Sequence, residues 1–295
     1  MGVYHAGSRA VQDRVGVRGR ADQVGRAVGE TLKPVAAAFL ELQPLLVVGA
    51  ADPVGGAVWA SPLTGEPGFV RAVTPRRIAV ADGPAAGDPL AGALAVEGLR
   101  VGTIVLDPRT RRRMRLNGRT RPDRGGLAIE ADQVFSNCPK YLQKRGAYER
   151  LPDRRPERPR RGTELTSQQR EFIDAADTFF VATVHEHGAD ASHRGGNPGF
   201  VRATSPRELV WRDYPGNTMF LTLGNLLGDP RAGLLFLDWT TGRALQLTGE
   251  ARTEFGADGE RRTSFTVREA VDTPSAVPLR WSAPEYSPVN PDPAH

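Results

Sequence analysis

The chain holds one cysteine, Cys138, among its 295 residues. A lone cysteine excludes an intrachain disulfide and any multi-cysteine metal site, and it fits a reducing compartment. No apolar run is long enough to span a bilayer: the most hydrophobic window, 35–50, is interrupted by Glu41 and Pro44. The opening "MGVYHAGSRAVQDRV" carries charges where a signal peptide needs an apolar core, so the expectation is a soluble, cytoplasmic protein without a membrane partner. There is no P-loop, no GxGxxG at a strand-to-helix turn and no Ser-His-Asp order, which sets aside nucleoside triphosphatase and hydrolase chemistry. Aromatic residues are sparse at 7%.

Glycine and proline are abundant, at 33 and 24 residues, which favours many short strands separated by turns. The formal charge of +5 and pI near 9.8 admit an anionic partner. Most of the excess sits in "RRRMR" (111–115) and "RLPDRRPERPRR" (150–161). The second run alternates arginine with proline and acids, the pattern of a stiff, solvated linker. No helix-turn-helix, zinc-finger or RNP-type pattern accompanies the charge, so nucleic acid is not an expected partner.

The stretch "PGFVRA" occurs at 67–72 and again at 198–203. With a constant shift of 131 and no gap, residues 60–118 match 191–249 at roughly a third of positions, where chance gives a few per cent. Ala60-Ser61 meets Ala191-Ser192, Gly102 meets Gly233, Leu106-Asp107 meets Leu237-Asp238, and Gly118 meets Gly249. The reading is an internal duplication. In the second copy a capping box at Thr166 and Gln169 opens a short helix. Strands are then expected over 178–186, 200–204, 208–213, 232–239 and 243–251, with a helical segment over 216–230. Residues 7–32 are expected to be helical, and 273–295 is a proline-rich tail. A strand-rich half with one inserted helix suggests a small closed or split barrel.

Divergence between the copies marks the candidate site. The second reads "DASHRGGNPGFVRA" where the first reads "WASPLTGEPGFVRA", and "DYPGN" where the first has "DGPAA". Ser192, His193, Arg194 and Gly195 offer a hydroxyl, an imidazole, a guanidinium and a glycine that lets backbone N–H groups approach a ligand. Asn217 is expected at a helix start, where unpaired N–H groups favour an anion, and arginine suits phosphate bidentately. Together these describe a site for a phosphate-bearing ligand. Arg71 and Arg202 occur in both copies, leaving an inter-barrel ion pair and a cofactor contact as alternatives. His185 and His187 lack a third metal ligand and read as a solvated strand-end pair, so no metal is expected. His193 is the weak candidate for a catalytic proton donor, with a turn-stabilising role as the alternative. Cys138 reads as packing.

The ordered set "RGGNPGFVRA…DYPGNTMFLTLGNLLGDPRAGLLF…LTGEA" resembles the FMN-binding split-barrel proteins related to pyridoxamine 5′-phosphate oxidase. "FSNCPKYLQKR" (135–145) and "HAGSRAVQDRVG" are similar to segments of that group's tandem members. The resemblance implies a mainly β fold with a few helices, built as tandem six-stranded FMN-binding split β-barrels. Its parts are an N-terminal helical segment (1–33), a degenerate first barrel (34–145), a basic proline-rich linker (146–165), a flavin-binding second barrel (166–272) and the tail (273–295). It implies FMN bound non-covalently, with Ser192, Arg194, Arg202, Asn217 and Asn225 as phosphate and ring contacts. Lys140 with Tyr141, and Arg280 with Trp281, are candidates to close over the flavin. The oxidase's Ser-Arg-Lys phosphate cluster is not reproduced, since Thr218-Met219 follows "DYPGN" with no lysine. The activity implied is FMN-dependent oxidoreduction on a small-molecule substrate or electron donor. The alternatives are a non-catalytic flavin- or haem-binding module and a deazaflavin-dependent reductase. Two barrels in one chain form either an intrachain pseudo-dimer or half of a further homodimer.

Overall fold

The computed structural model describes residues 2–123, 126–257 and 259–292. It opens with helices α1 (Ala6–Arg14) and α2 (Arg18–Gly25). The first half then runs α3 (Pro34–Glu41), β1 (Leu45–Ala51), β2 (Val58–Thr64), β3 (Val70–Thr74), β4 (Arg77–Val80), a single 3-10 turn (Ala93–Ala95), β5 (Arg100–Asp107), β6 (Arg112–Asp123) and β7 (Gly126–Ser136). Short strands β8 (Tyr148–Arg150) and β9 (Arg160–Gly162) lead into the second half. That half is α4 (Ser167–Asp174), β10 (Thr178–His185), β11 (Gly188–Gly195), β12 (Val201–Ser205), β13 (Glu208–Arg212), α5 (Leu221–Gly228), β14 (Arg231–Leu237), β15 (Ala244–Phe255) and β16 (Arg261–Thr273). The chain closes with β17 (Leu279–Trp281). The architecture is mainly β with a few helices, as the turn-rich composition predicts. The capping box at Thr166 is formed in both directions.

The two main sheets share one order. The first runs β2-β1-β5-β6-β7-β4-β3 and the second β11-β10-β14-β15-β16-β13-β12, so each path has seven strands where the resemblance implies six. The correspondence reaches single residues. Ladder irregularities fall between Ala72 and Thr74 and between Ala203 and Ser205, and again at Asn117/Gly118 and Thr248/Gly249, all 131 residues apart. A Cβ added at Gly118 would lie 1.9 Å from the Glu130 carbonyl oxygen, and one at Gly249 2.0 Å from that of Thr266. The shared glycine is therefore dictated by the bulge.

Each barrel has its own core, around Leu46, Ile78 and Ile129 in the first and Phe179, Phe236 and Phe265 in the second. A third apolar cluster, with Val47, Ile104, Phe180 and Leu235, lies between them. The backbones there nearly touch. A Cβ on Gly102 would meet the Asp190 backbone at 2.4 Å, and one on Gly233 would meet that of Trp59 at 2.6 Å. These contacts exchange under the 131-residue shift, as contacts do across a two-fold dimer interface.

The segments outside the barrels are tied down. Residues 150–161 are mostly exposed, in keeping with a solvated linker, yet β8 pairs with β17 of the tail and β9 with β16. Residues 142–145 pack on the second barrel: Arg145 forms a buried ion pair with Asp177 at 2.9 Å, and the Gln143 amide donates to the Gly196 carbonyl. Helix α1 crosses α5, where an added Cβ on Gly224 would lie 2.4 Å from the Ser8 nitrogen. Among the described residues no helix is long and apolar enough to cross a membrane.

Candidate functional site

A cleft opens where the end of β11 meets β6 of the other half, the 137–141 segment and the loop before α5. Sequence reading leaves 188–195 outside its strands, but β11 pairs with β10 throughout, from His185↔Gly188 to Thr178↔Gly195. Its donor set is therefore held rigidly. Five basic side chains line the cleft, Arg113, Arg115, Lys140, Arg194 and Arg212, against one carboxylate, Asp213.

The guanidiniums are positioned unequally. Arg115 is buried and its Nη1 donates to both oxygens of Asp190 at 3.1 Å. Asp190 also accepts from Ser192 Oγ at 2.9 Å, and Ser192 in turn meets Thr222 Oγ1 at 2.8 Å. Arg194 Nε donates to Asp213 at 2.9 Å. Arg113 has no carboxylate partner among the described residues; its Nη1 lies 2.7 Å from His193 Nδ1 and its Nη2 donates to the Cys138 carbonyl at 2.7 Å. Burial, with Arg115 and Arg194 close by, pushes Arg113 down to about 9. His193 is held well below its usual value by burial and then by Arg113, Arg194 and Arg115, so its ring is neutral. With Nδ1 facing an arginine donor, the neutral ring carries its proton on Nε2, and that buried atom has no partner. Arg113 Nε, Arg115 Nε and both polar side-chain atoms of Asn137 are likewise buried without partners.

Strain concentrates here. Tyr141, Thr218 and Phe220 have φ of 62°, 62° and 54°, three of the five non-glycine residues in this region among those described, and all three line the cleft. The Tyr141 and Tyr214 rings meet at a tilt of 53° with centroids 5.1 Å apart, and the Tyr141 hydroxyl donates to the Pro215 carbonyl.

The expected site residues part company. His193, Arg194, Gly195, Asn217 and Lys140 all line the cleft. Gly195 is required by the 137–141 segment, since a Cβ there would lie 2.1 Å from the Tyr141 carbonyl oxygen. Ser192 is fully buried behind the lining and acts on it through Asp190. Asn217 does not start a helix: left-handed residues 218 and 220 delay α5 to Leu221, and the Asn217 side chain accepts from Met219 N instead. Asn225 is turned away, accepting from His5 Nε2 at 2.7 Å and donating to Thr183. Arg202 is exposed on β12, outside the cleft, as is Arg71 on β3. Trp281 is buried between Tyr148 and Trp239 at the inter-barrel cluster, and Arg280 pairs with Glu149. His185 is no solvated strand end, because its ring stacks on His5 at 4.4 Å. Sequence reading missed Arg113 and Arg115. Their signal was present: at the 131-residue shift they face Ala244 and Gln246, a divergence in the opposite direction.

Residues 165–291 match the family model described as pyridoxamine 5′-phosphate oxidase. That match covers the second barrel and the start of the tail, and it relates this part of the chain to pyridoxamine 5′-phosphate oxidase. Solved structures similar to parts of this chain include a protein from Lactobacillus delbrueckii described as a candidate pyridoxamine 5′-phosphate oxidase (15% identity, 37% of this chain and 94% of that chain, TM-score 0.30). Others are a general stress protein 26-related protein of the pyridoxinephosphate oxidase family from Clostridium acetobutylicum (14%, 34% and 81%, 0.26) and an FAD-binding protein from Mesorhizobium loti (10%, 39% and 97%, 0.28). No curated protein matches the chain. The cleft, built from β6 of the first half and β11 of the second, has no equivalent at the position related to it by the 131-residue shift. At the counterpart position Gln246 replaces Arg115 and its amide donates to Ser61 Oγ and Asp88 Oδ2, both at 3.0 Å, while Ser61 donates to Asp88 at 2.6 Å. Protein groups satisfy one another there.

Proposed function

We propose that the protein binds one flavin per chain, that the flavin is FMN held non-covalently in the cationic cleft, and that the protein is an oxidoreductase. The observation that carries the reading is Arg113, a half-buried residue whose Nε is buried without a partner and which has no carboxylate partner among the described residues, in a cleft where basic groups outnumber acids five to one. A buried cation without an anion is costly, and a ligand phosphate supplies one. The cleft, of about 90 Å³, suits a phosphate-sized group, and in this reading the rest of the ligand extends out of it. The family match of the second barrel agrees with a flavin.

In this reading Arg113, Arg194 and Arg115 hold the phosphate, the last two braced by Asp213 and Asp190. The neutral His193 presents Nε2–H to the bound molecule. When bound, the flavin supplies electron or hydride transfer, and the protein supplies position, electrostatics and exclusion of water. An absorbance titration with FMN tests this. Arg113→Ala and Arg194→Ala are each expected to weaken FMN by roughly ten- to a hundredfold, the worth of a charge-assisted hydrogen bond. Arg202→Ala is expected to leave it unchanged. Equal effects of all three would refute the site.

A further inference from the structure

Two walls of the cationic cleft come from separate parts of the chain: Lys140 and Tyr141 from the segment that follows β7, and Tyr214, Gly216 and Asn217 from the loop between β13 and α5. One side chain spans them. The Tyr141 hydroxyl donates to the Pro215 carbonyl at 2.9 Å, and its ring centroid lies 5.1 Å from that of Tyr214. This link is exposed, so water can take the place of either partner and breaking it costs little.

The two ends of the link are held differently. The Tyr141 carbonyl accepts from the Gln143 amide at 3.1 Å and lies so close to β11 that position 195 has room only for glycine. Gln143 is fixed in turn: its Nε2 donates to the Gly196 carbonyl at 3.2 Å, and its Oε1 accepts from Ser287 N at 2.8 Å and Asn290 Nδ2 at 3.0 Å. This anchored backbone holds Tyr141 at a φ of 62°, which a tyrosine adopts only where its surroundings impose it. Pro215 and Gly216, at the other end, are exposed. Movement therefore falls to the phenol and to the 214–217 loop. With the link made, the cleft holds about 90 Å³, against roughly 300–1,000 Å³ for a pocket that encloses a cofactor. A phosphate fits within it, but a larger molecule carrying that phosphate does not.

We infer that Tyr141 is a latch, whose hydroxyl bond to Pro215 keeps the ligand-free cleft closed and breaks when a phosphate-bearing ligand larger than the closed cleft enters between the walls. Its ligand is the one the flavin reading supplies, so the latch rests on that reading. The bond belongs to the closed form alone. It lowers the fraction of chains ready to bind, and its removal favours binding. A tyrosine whose hydroxyl contacted the ligand would have the opposite effect.

Tyr141→Phe keeps the ring and deletes the bond. In stopped-flow and calorimetric titrations of the full-length protein, this variant is expected to associate with FMN faster and to bind it about two- to tenfold more tightly than the wild type, with dissociation unchanged. Inorganic phosphate, which fits the closed cleft, is expected to bind the two proteins equally. FMN bound no more tightly by the folded variant, or phosphate tightened as much as FMN, would overturn the latch and leave the flavin reading standing. Phosphate bound by both proteins and FMN by neither would overturn the flavin reading, and the latch with it.

Discussion

At the scale of single residues, the molecule keeps three imidazoles uncharged by burying them. His5, His185 and His193 are all lowered, each chiefly by burial. The ring of His185 loses its proton near 4 in the folded chain and near 6.5 when unfolded, so between those values the unfolded chain binds more protons. The stabilising contribution is complete above about pH 6.5 and is lost progressively as the pH falls toward 4. Melting temperature is therefore expected to fall across this window, before the lowered carboxyls of Asp229, Asp238 and Asp272 begin to titrate below their usual value of 3.8. His185→Gln is expected to flatten the slope; a melting temperature constant from pH 7 to 4.5 would contradict it. The buried pair Arg145 and Asp177 gives a second expectation. Asp177→Ala leaves Arg145 buried without its partner and should cost about 3–5 kcal/mol in urea denaturation, while Arg145→Met combined with Asp177→Ala should cost less. Residue roles were only half legible in sequence. Arg194 stands out in sequence because it has no counterpart at the 131-residue shift, whereas Arg113 is one member of a basic run. What distinguishes Arg113 is that no carboxylate among the described residues pairs with it, and no sequence displays that.

At the scale of elements, the strand register was legible and the local backbone was not. The shift that aligns the two "PGFVRA" copies also aligns their bulges, because a pleated ladder permits no slip without turning every side chain to the wrong face. Strand β11 escaped because "GADASHRG" has no apolar alternation; its buried positions are small or polar and face the other barrel. The start of α5 was misplaced because Thr218 and Phe220 adopt left-handed backbone, which neither residue favours by itself. The crossing of α1 on α5 has its own test. Gly224→Val drives a side chain into the Ser8 backbone and is expected to destabilise the protein by about 1–3 kcal/mol. The matching change at Ala93, which occupies the corresponding place in the first half, should cost less, since α1 docks only on the second. Comparable losses from the two changes would argue against this docking role.

At the scale of the whole molecule, the chain has the geometry of a two-fold dimer whose halves are free to differ. Gly102 faces the Asp190 backbone as Gly233 faces that of Trp59, so Gly102→Val and Gly233→Val are expected to destabilise to a similar degree in denaturant titrations. A large difference between them would show that the interface is not reciprocal. The halves diverge where the symmetric sites would lie. One position gathers Arg113, Arg115, Arg194 and His193, and the other is closed by Ser61, Asp88 and Gln246. A homodimer of identical barrels presents two equivalent sites, and this chain presents one, built from both halves. FMN stoichiometry measured by calorimetry on the full-length protein tests that most directly. One FMN per chain is expected, with binding weakened roughly ten- to a hundredfold in Arg113→Ala. Two per chain, none, or one that is indifferent to Arg113→Ala would contradict it.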